Sequence, residues 1–463
     1  MKNILQRLVL AAVVIIFTSS CRLNPPPEPD YVGELNSLLP LLQSSTAEFN
    51  GSELGRFQLI WMQQLAGFRS DDLEIDTYRM NSRHGQDAWT NFYISRNIIM
   101  PRIISLFFSS EKIDAKAFLG ITRVLAGLNI GLMTDTYGDI PRDKAVSYVQ
   151  GFSVVEYDTQ SKVYEFIIDQ LTKAVTDLTA AQFEPDSLKP KDSDKMYGGN
   201  LTNWIKAANV VRARYLLRLA HKFGDYVMVK NHLSAATLMT GNQDDLQYVY
   251  SGNERNPYYR SVTLGQNARV GKFLADRMHE VNDPRLPVFL RRSTLDLTYF
   301  GSAPGQANVH ASYIGAPLSS MYSPTYLVTY VEQKFIEAEV HHRTGQQGLA
   351  DLAFEQAVKA SLQKHGVSNT AWESQHASVT NVTLEQIINA KYVALFLNPE
   401  VWSDYRRTGY PALTPYVAPS PKTGTSNPAI PRRFLYPQSE ISNNANNVPK
   451  DVTIYTRMWW DKE

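Results

Sequence analysis

Cysteine is almost absent from this sequence, which has one such residue, Cys21, among 463. A single thiol excludes a disulfide framework within the chain and zinc sites built from several cysteines. Because the position of Cys21 predicts that it is modified, catalysis by a free thiol is excluded as well. Any binding or chemistry must therefore use other side chains.

An excess of charge of one sign is also missing. The chain carries 46 Lys and Arg against 45 Asp and Glu, so it offers no overall field for nucleic acid or anionic lipid. The clearest basic stripe is interpreted as a solvated or ion-paired face of a helix, and it consists of Lys206, Arg214, Arg218 and Lys222. No nucleic-acid partner is expected.

Long apolar runs are rare, and the one that stands out is Leu8 to Phe17, which follows Lys2 and Arg7. As a helix it would reach about 15 Å, half the hydrocarbon thickness of a bilayer, which is typical of a signal peptide and too short for a span. We expect residues 1–20 to be that signal peptide. Small residues followed by Cys21 resemble the lipobox of bacterial lipoproteins, in which the cysteine is acylated and becomes the first residue.

Residues 21–30 are predicted to form a stem between this lipid anchor and a soluble body. Prolines crowd the segment, and because proline removes backbone donors and restricts the preceding residue, the stem is expected to be extended and semi-rigid. The acids Glu28 and Asp30 are similar to the acidic signal that sends some Bacteroidetes lipoproteins to the outer surface. Contact with the membrane is expected through the lipid only.

Helical periodicity predicts a mostly α fold. Apolar residues recur at steps of three and four along 164–178, 204–219 and 328–342, and a partner helix is predicted after the turn that begins at Gly345. Weaker helical patterns cover 54–67, 86–108, 111–134 and 384–397. Paired helices with small residues at their crossing points resemble tetratricopeptide hairpins.

Two long segments lack this periodicity. Residues 241–325 are punctuated by glycine and proline and are rich in tyrosine, so they are predicted to be an irregular, ligand-facing insertion on the helical scaffold. Residues 409–450 are rich in proline and asparagine and are predicted to wrap the helices as coil. The folded body is expected to span residues 31–463.

Patterns for cofactor and metal binding are missing. Gly271-Lys272 looks like part of a phosphate loop, but Phe273 replaces the Ser or Thr that would hold magnesium. His341 and His342 are adjacent, and on a helix they would diverge by about 100°. We expect no cofactor and no metal site of this kind, and calcium stays open because no carboxylate loop has a recognisable spacing.

The acidic cluster Asp71, Asp72, Glu74 and Asp76 is the pattern that keeps an enzyme in consideration. A glycoside hydrolase needs two carboxylates at a suitable separation, and the sequence does not determine that separation. The favoured interpretation of the cluster is a solvated acidic loop.

Three stretches carry a family resemblance: TDTYGDIP at 134–141, EVWSDYRRTGYP at 400–411 and IPRRFLYP at 430–437, before the closing Trp459-Trp460-Asp461. In this order they resemble the SusD/RagB family of nutrient-binding outer-membrane lipoproteins, in particular its SusD-like branch, over essentially the whole chain. We interpret these motifs as scaffold. Four arginines in them can donate paired hydrogen bonds to carboxylates or carbonyls and so pin the C-terminal wrap. These are Arg406, Arg407, Arg432 and Arg433.

The resemblance implies a binding protein rather than an enzyme. It implies a protein that covers a SusC-type TonB-dependent transporter at the cell outer membrane, facing the exterior, and passes an oligosaccharide or another nutrient inward. The implied fold is mostly α, with tetratricopeptide-like hairpins and an irregular ligand-facing region. Two alternatives stay open: a surface glycoside hydrolase, and a non-catalytic peptide-binding or structural lipoprotein.

Ligand-binding residues are sought among tyrosines in loops, because sugar rings stack on aromatic faces while their hydroxyls need fixed polar partners. The candidates are Tyr78, Tyr258, Tyr259, Arg260, Tyr299 and Tyr313. Consecutive residues in extended structure point in opposite directions, so one of Tyr258 and Tyr259 is expected to face outward. The alternative that these tyrosines fill a satellite core stays open.

Overall fold

The computed structural model of the chain describes residues 29–94, 99–418 and 429–461. The predicted lipidation of Cys21 and almost all of the predicted stem lie outside these residues. Within them the predicted mostly α fold is confirmed. The domain boundaries drawn from the sequence stay predictions.

The first half of the chain is a series of helices interrupted by one short strand. In chain order these are α1 (Tyr31–Gly51), α2 (Glu53–Trp61), β1 (Leu65–Gly67), α3 (Ser70–Asp76), α4 (Gln86–Tyr93), α5 (Ile99–Lys112), α6 (Lys116–Tyr137), α7 (Ala145–Val149), α8 (Gln160–Ala180), α9 (Leu201–Phe223) and α10 (Tyr226–Ala235). The predicted helix over 54–67 is wrong at its end, because residues 65–67 pair as a strand.

The second half begins with short elements and ends with helices and coil. These are β2 (Leu246–Tyr248), a π-helical turn (Tyr259–Leu264), β3 (Ala268–Val270), α11 (Lys272–Glu280), α12 (Leu286–Phe289), α13 (Ala316–Ser319), β4 (Thr325–Val328), α14 (Tyr330–Arg343), α15 (Gln347–Lys364), α16 (Thr370–His376), α17 (Leu384–Ala394), α18 (Glu400–Thr408) and α19 (Gln438–Asn443). Strand β1 pairs antiparallel with β3, and β2 pairs antiparallel with β4.

Helix α6 is the centre of the main core. It packs against α5, α8 and α9, and nearly all of its residues are buried. Among the described residues, α6 is the one helix that is long and apolar enough to cross a membrane by length and composition. However, 89% of its most apolar window is buried inside the protein. Because neighbouring helices cover it on all sides, α6 is interpreted as a core helix of the folded body.

The hairpin of α14 and α15 has the tetratricopeptide-like form predicted from the sequence. The two helices are joined through Gly345, whose φ of +72° is a left-handed conformation that costs glycine little. Alanines of α15 and the rings of Phe335 and Phe354 fill the interface, and the two rings meet edge to face at 72° with their centroids 6.1 Å apart. The predicted helix break at Gly345 is therefore confirmed.

Three of the four arginines of the C-terminal motifs pin the wrap as predicted, whereas Arg407 joins helices α14 and α18 through Glu339 and Asp404. Arg406 donates to the carbonyls of Asp135 and Arg432, at 2.5 and 2.9 Å. Arg432 pairs with Asp461 at 2.6 Å, and Arg433 donates to the carbonyl of Tyr137 at the end of α6. The last residues are thereby tied to the centre of the fold.

The acidic cluster at 71–76 is not the solvated loop that was favoured. Residues 70–76 form helix α3, with Asp72 and Asp76 buried. The Arg56 guanidinium donates two hydrogen bonds to the Asp72 carboxylate, at 2.7 and 3.0 Å. Burial of apolar Ile75 turns this face of the helix inward and carries the two acids with it.

The basic stripe of α9 is ion-paired rather than solvated. Arg214 pairs with Glu332 at 2.6 Å, and Arg218 lies between Glu400 and Asp135, at 2.7 and 2.9 Å. These side chains are buried. The two arginines of the stripe therefore join the N-terminal helices to the C-terminal ones and are not part of a basic surface.

Candidate functional site

A surface cleft lies where the 241–325 insertion meets the C-terminal coil. We call it the Tyr416 cleft, and it has a volume of about 630 Å³. Its lining combines two rings with amide and charged groups: Gln63, Lys272, Phe273, Asp276, Ala303, Pro304, Gly305, Gln306, Thr414, Pro415, Tyr416 and Val417. Ligand sites of proteins fall in this size range.

The walls of the cleft are held by short backbone contacts. The Ser302 N–H donates to the Val270 carbonyl at 2.9 Å, and the Lys272 N–H donates to the Ser302 carbonyl at 2.8 Å. A Cβ atom on Gly301 would lie 2.3 Å from the Gly271 carbonyl oxygen, so this approach requires glycine. The start of α11 and residues 303–306 are thus fixed side by side.

The C-terminal wall is attached to the N-terminal half of the chain by Gln63 and Tyr78. The Gln63 side-chain amide donates to the Thr414 carbonyl at 2.6 Å. The Tyr416 N–H donates to the Tyr78 hydroxyl at 3.2 Å, and the two rings meet edge to face with centroids 6.1 Å apart. Burial raises the pKa of Tyr78, so it stays neutral. Tyr78 supports Tyr416 from behind the cleft wall.

A buried carboxyl group supports the rim at Gly305, which lies against the Tyr416 ring. Asp76 is 2% exposed, and the Gly305 N–H donates to its Oδ2 at 2.6 Å. Burial raises the pKa of Asp76 to about 7, against the lowering effect of the Gly305 and Gly67 N–H groups. The position of this rim therefore depends on a carboxyl group whose pKa is well above the usual value for aspartate.

The lining of the cleft is chemically suited to binding. The rings of Tyr416 and Phe273 provide apolar faces, and Gln63, Gln306 and Lys272 provide donors and acceptors around them. The Lys272 ammonium is paired with Asp276 in the same helix. Asp76 lies behind the wall and Asp72 is paired with Arg56, so they do not form a facing pair of acids in the cleft.

The predicted pair Tyr258-Tyr259 has one buried member. Tyr258 is 3% exposed, and its hydroxyl donates to the Leu397 carbonyl at 3.0 Å. It is a core residue and cannot present its face to a ligand, which is a correction to its place among the candidates. Tyr259 is half-buried and begins the π-helical turn. Whether Tyr259 contacts a ligand stays a prediction.

Arg260 lies in a second, more polar cleft of about 610 Å³. Its guanidinium pairs with Glu48 of α1. This cleft also contains Glu53, whose pKa is raised to about 7 by burial. The structure therefore separates Arg260 from the Tyr416 cleft, and the two clefts share no lining residue.

Tyr299 and Tyr313 each face an arginine. The Arg292 guanidinium lies 5.5 Å from the centre of the Tyr299 ring and donates to its hydroxyl at 3.3 Å. Arg269 is buried with its guanidinium 4.0 Å from the centre of the Tyr313 ring. Neither tyrosine lines the Tyr416 cleft, and their binding roles stay predictions.

Sequence reasoning missed Tyr416, Phe273 and Gln63. A signal for Tyr416 was present, because it follows Pro415 within the proline-rich 409–450 segment that was singled out as irregular. Gln63 carried no such signal. Its side chain reaches the cleft because residue 63 adopts a left-handed φ of 55° between α2 and β1.

The histidines considered as metal ligands have other partners. His341 and His342 lie within hydrogen-bond distance of Gln346 and Gln347, at 2.9 and 3.3 Å. In the part of the chain that the structure describes, no group of three or more His, Cys, Asp or Glu residues is arranged to hold a metal ion.

Comparison with known proteins gives one family and many similar folds. The SusD-like_2 family model, "Starch-binding associating with outer membrane", matches residues 31–437. A chitin-binding SusD homologue from Flavobacterium johnsoniae superposes with a TM-score of 0.78 at 24% identity, covering 94% of this chain and 99% of that one. No curated protein matches the chain.

Two structures from Bacteroides are similar to the same degree. A SusD homologue from Bacteroides uniformis ATCC 8492 gives a TM-score of 0.76 at 22% identity, covering 94% of this chain and 100% of that one. A SusD homologue from Bacteroides fragilis NCTC 9343 gives 0.74 at 20% identity, with 92% and 100% covered. At these identities the likeness shows the fold.

Proposed function

This chain belongs to the SusD-like family of starch-binding proteins that associate with the outer membrane, and on that premise we propose that it binds oligosaccharides and does not catalyse a reaction. The observation that carries the proposal is the Tyr416 cleft, where an aromatic ring supported by Tyr78 faces amide and charged groups. Sugar rings stack on such faces, and their hydroxyls bond to such groups. Because one structural relative binds chitin, oligomers of N-acetylglucosamine are the first ligands to test, together with oligomers of starch.

Replacing Tyr416 with alanine is expected to weaken oligosaccharide binding by about 1–3 kcal/mol, because it removes the ring on which a sugar would stack. Calorimetry with chitin, starch and peptide fragments measures the effect. Tyr322→Ala is the matched control: Tyr322 is exposed and outside the cleft, and its hydroxyl lies 3.4 Å from the Gly252 carbonyl. Equal affinities of the wild type, Tyr416→Ala and Tyr322→Ala would disprove the placement of the site.

The remaining sequence candidates belong in the same titration. Alanine at Tyr259, Arg260, Tyr299 or Tyr313 weakens binding if the site extends beyond the Tyr416 cleft. If one of these variants loses affinity and Tyr416→Ala does not, the oligosaccharide site lies on another part of the insertion. Preferential binding of peptides would favour the peptide-binding alternative.

The proposal includes anchoring through Cys21 at the outer membrane, with the body facing the exterior. Cys21→Ser is expected to abolish acylation and to release the protein from the membrane fraction, because one thiol is available for the lipid. Mass spectrometry of the mature N-terminus tests acylation, and external protease on intact cells tests exposure. An unmodified Cys21 in the mature wild-type protein would contradict the anchor.

The partner in this proposal is a SusC-type TonB-dependent transporter to which the captured nutrient passes. Its support is family membership together with a nearly neutral body, which suits docking on a protein better than binding to a charged polymer. Extraction in mild detergent is expected to recover the protein with a large outer-membrane barrel. Recovery as a free monomer under several gentle conditions would count against the partner.

A further inference from the structure

Four helices of the main core terminate at the same end of the body: α1 and α6 begin there, and α5 and α8 end there. The Ser109 hydroxyl near the end of α5 donates to the Glu34 carboxylate near the start of α1, at 2.8 Å. The Lys116 N–H at the start of α6 donates to the Glu184 carboxylate just after α8, at 2.7 Å. We call this part of the surface the Phe183 end, and it comprises residues 29–34, 108–117 and 181–184.

Two phenylalanine rings are exposed at the Phe183 end. Phe183 is 89% exposed, more than any other large apolar side chain among the described residues, and Phe108 is 54% exposed. The Phe108 ring meets Tyr31 of α1 edge to face, with centroids 6.3 Å apart, and the Lys112 ammonium lies 5.1 Å from its centre. Exposed rings beside lysines, whose long side chains keep their charge in water, are typical of surfaces that lie at a membrane–water interface.

The charged side chains around these rings are of both signs. Lys116 pairs with Asp114 at 2.9 Å, and Glu111 precedes Lys112 in the chain. Such a surface gains little from anionic lipid, so contact with a membrane would depend on burial of the rings. A neutral lipid surface is therefore sufficient as a partner.

The described chain also begins at this end. The Gly33 N–H donates to the Asp30 carboxylate at 2.8 Å, which fixes the entry into α1. Cys21 and Pro29 are eight residues apart, and a chain of that length reaches at most about 29 Å when fully extended. An acyl chain on Cys21 would therefore hold the Phe183 end within that distance of the lipid. At such a local concentration, a weak affinity of the two rings for lipid is enough for contact.

We propose that the Phe183 end lies on the lipid surface of the outer membrane, with the rings of Phe183 and Phe108 immersed among the lipid headgroups. This contact depends on the proposed anchoring through Cys21 and adds to the acyl chain, which the sequence predicted to be the one contact with the membrane. It also orients the body. The 241–325 insertion packs at the other end of α1, where Arg260 pairs with Glu48, and α1 with its 21 residues is about 30 Å long. The insertion is thereby directed away from the membrane.

Spin labelling of the mature, acylated protein in vesicles of phosphatidylcholine tests this contact. Cys21 is the one native cysteine and carries the lipid, so a cysteine introduced elsewhere is the one free thiol. Phe183→Cys takes a nitroxide at the most exposed position, and its collisions with oxygen and with a water-soluble nickel chelate measure its depth. We expect the label to lie about 5–10 Å into the boundary between headgroups and acyl chains.

Phe223→Cys is the matched control, because Phe223 is 65% exposed and ends α9. Its ring contacts Trp459, which also contacts Tyr164 near the start of α8, so Phe223 lies at the opposite end of the body. A nitroxide there is expected to stay in water. Adding Phe108→Ser to Phe183→Cys is expected to raise the nickel collisions of the label about three- to tenfold, because one of the two rings that enter the lipid is lost.

The contact is disproved if the acylated protein stays with the vesicles and the labels at residues 183 and 223 collide equally with the nickel chelate. That result would leave the Phe183 end to a protein partner. A protein that does not stay with the vesicles contradicts the anchor at Cys21, and the proposed lipid contact fails with it. Sedimentation of the vesicles measures the anchor and the collision rates measure the contact, so the two failures are distinguishable.

Discussion

Replacing Arg407 with methionine is expected to lower the free energy of unfolding by about 3–5 kcal/mol. The Arg407 side chain is 2% exposed, and its guanidinium donates to the carboxylates of Glu339 and Asp404, at 2.7 and 2.9 Å. Lys391 would still balance Asp404, at 2.7 Å. Glu339 would keep only Arg343, at 3.7 Å, as a partner. A buried carboxylate without a close counter-charge is strongly unfavourable.

Urea denaturation followed by tryptophan fluorescence measures this loss. Arg343→Met is the matched control, because Arg343 approaches the same Glu339 carboxylate at 3.7 Å with a side chain that is 29% exposed. It is expected to cost less than about 1 kcal/mol, as partly exposed pairs do. Equal losses in the two variants would show that burial of the Arg407 pair is not what matters.

Stability is expected to decrease as the pH rises from about 4 to about 7, and Asp76→Asn is expected to remove much of this dependence. Burial raises the pKa of Asp76 from 3.8 to about 7 in the folded protein. Between these values the folded state holds a proton that the unfolded state has lost, so raising the pH favours unfolding. At about 1.4 kcal/mol per pKa unit, the loss amounts to about 4 kcal/mol.

The change levels off above about pH 7, where both states are deprotonated. Glu53 has a pKa raised to about 7 by burial and contributes in the same direction, so the difference between wild type and Asp76→Asn isolates Asp76. The asparagine oxygen can still accept the Gly305 N–H, and the variant is expected to exceed the wild type in stability at pH 8. The exposed Asp192→Asn serves as control; identical pH profiles for all three proteins would contradict the prediction.

Patterns within one element predicted that element well. The apolar repeat along 328–342 corresponds to α14, the Gly345 turn follows it, and the partner helix is α15. Spacing along a helix is a local property, so a sequence carries it directly. The two short sheets were not predicted. Strands β1 and β3, for example, are separated by about two hundred residues, and each strand is only three residues long, which is too short to show a periodic pattern.

The candidate site was predicted in region but not in residues. The tyrosine-rich insertion and the proline-rich coil do meet at a cleft. Tyr78 supports that cleft, whereas Tyr258 is in the core and Arg260 lies in another cleft. A run of tyrosines looks the same in a sequence whether a ring faces solvent or a neighbouring helix, since burial depends on what packs against it.

The sequence by itself determined the helical class, the family and the arginines that tie the C-terminal wrap, because periodicity and ordered motifs are properties of the chain. Tertiary structure alone decided which charged groups are buried and which rings line a cleft. Asp76 is an ordinary acidic residue in the sequence, and its pKa of about 7 arises because the fold buries it, although the N–H of Gly305, distant in the chain, donates to it and lowers the pKa. Burial and its electrostatic consequences come from contacts between distant segments, which no local pattern records.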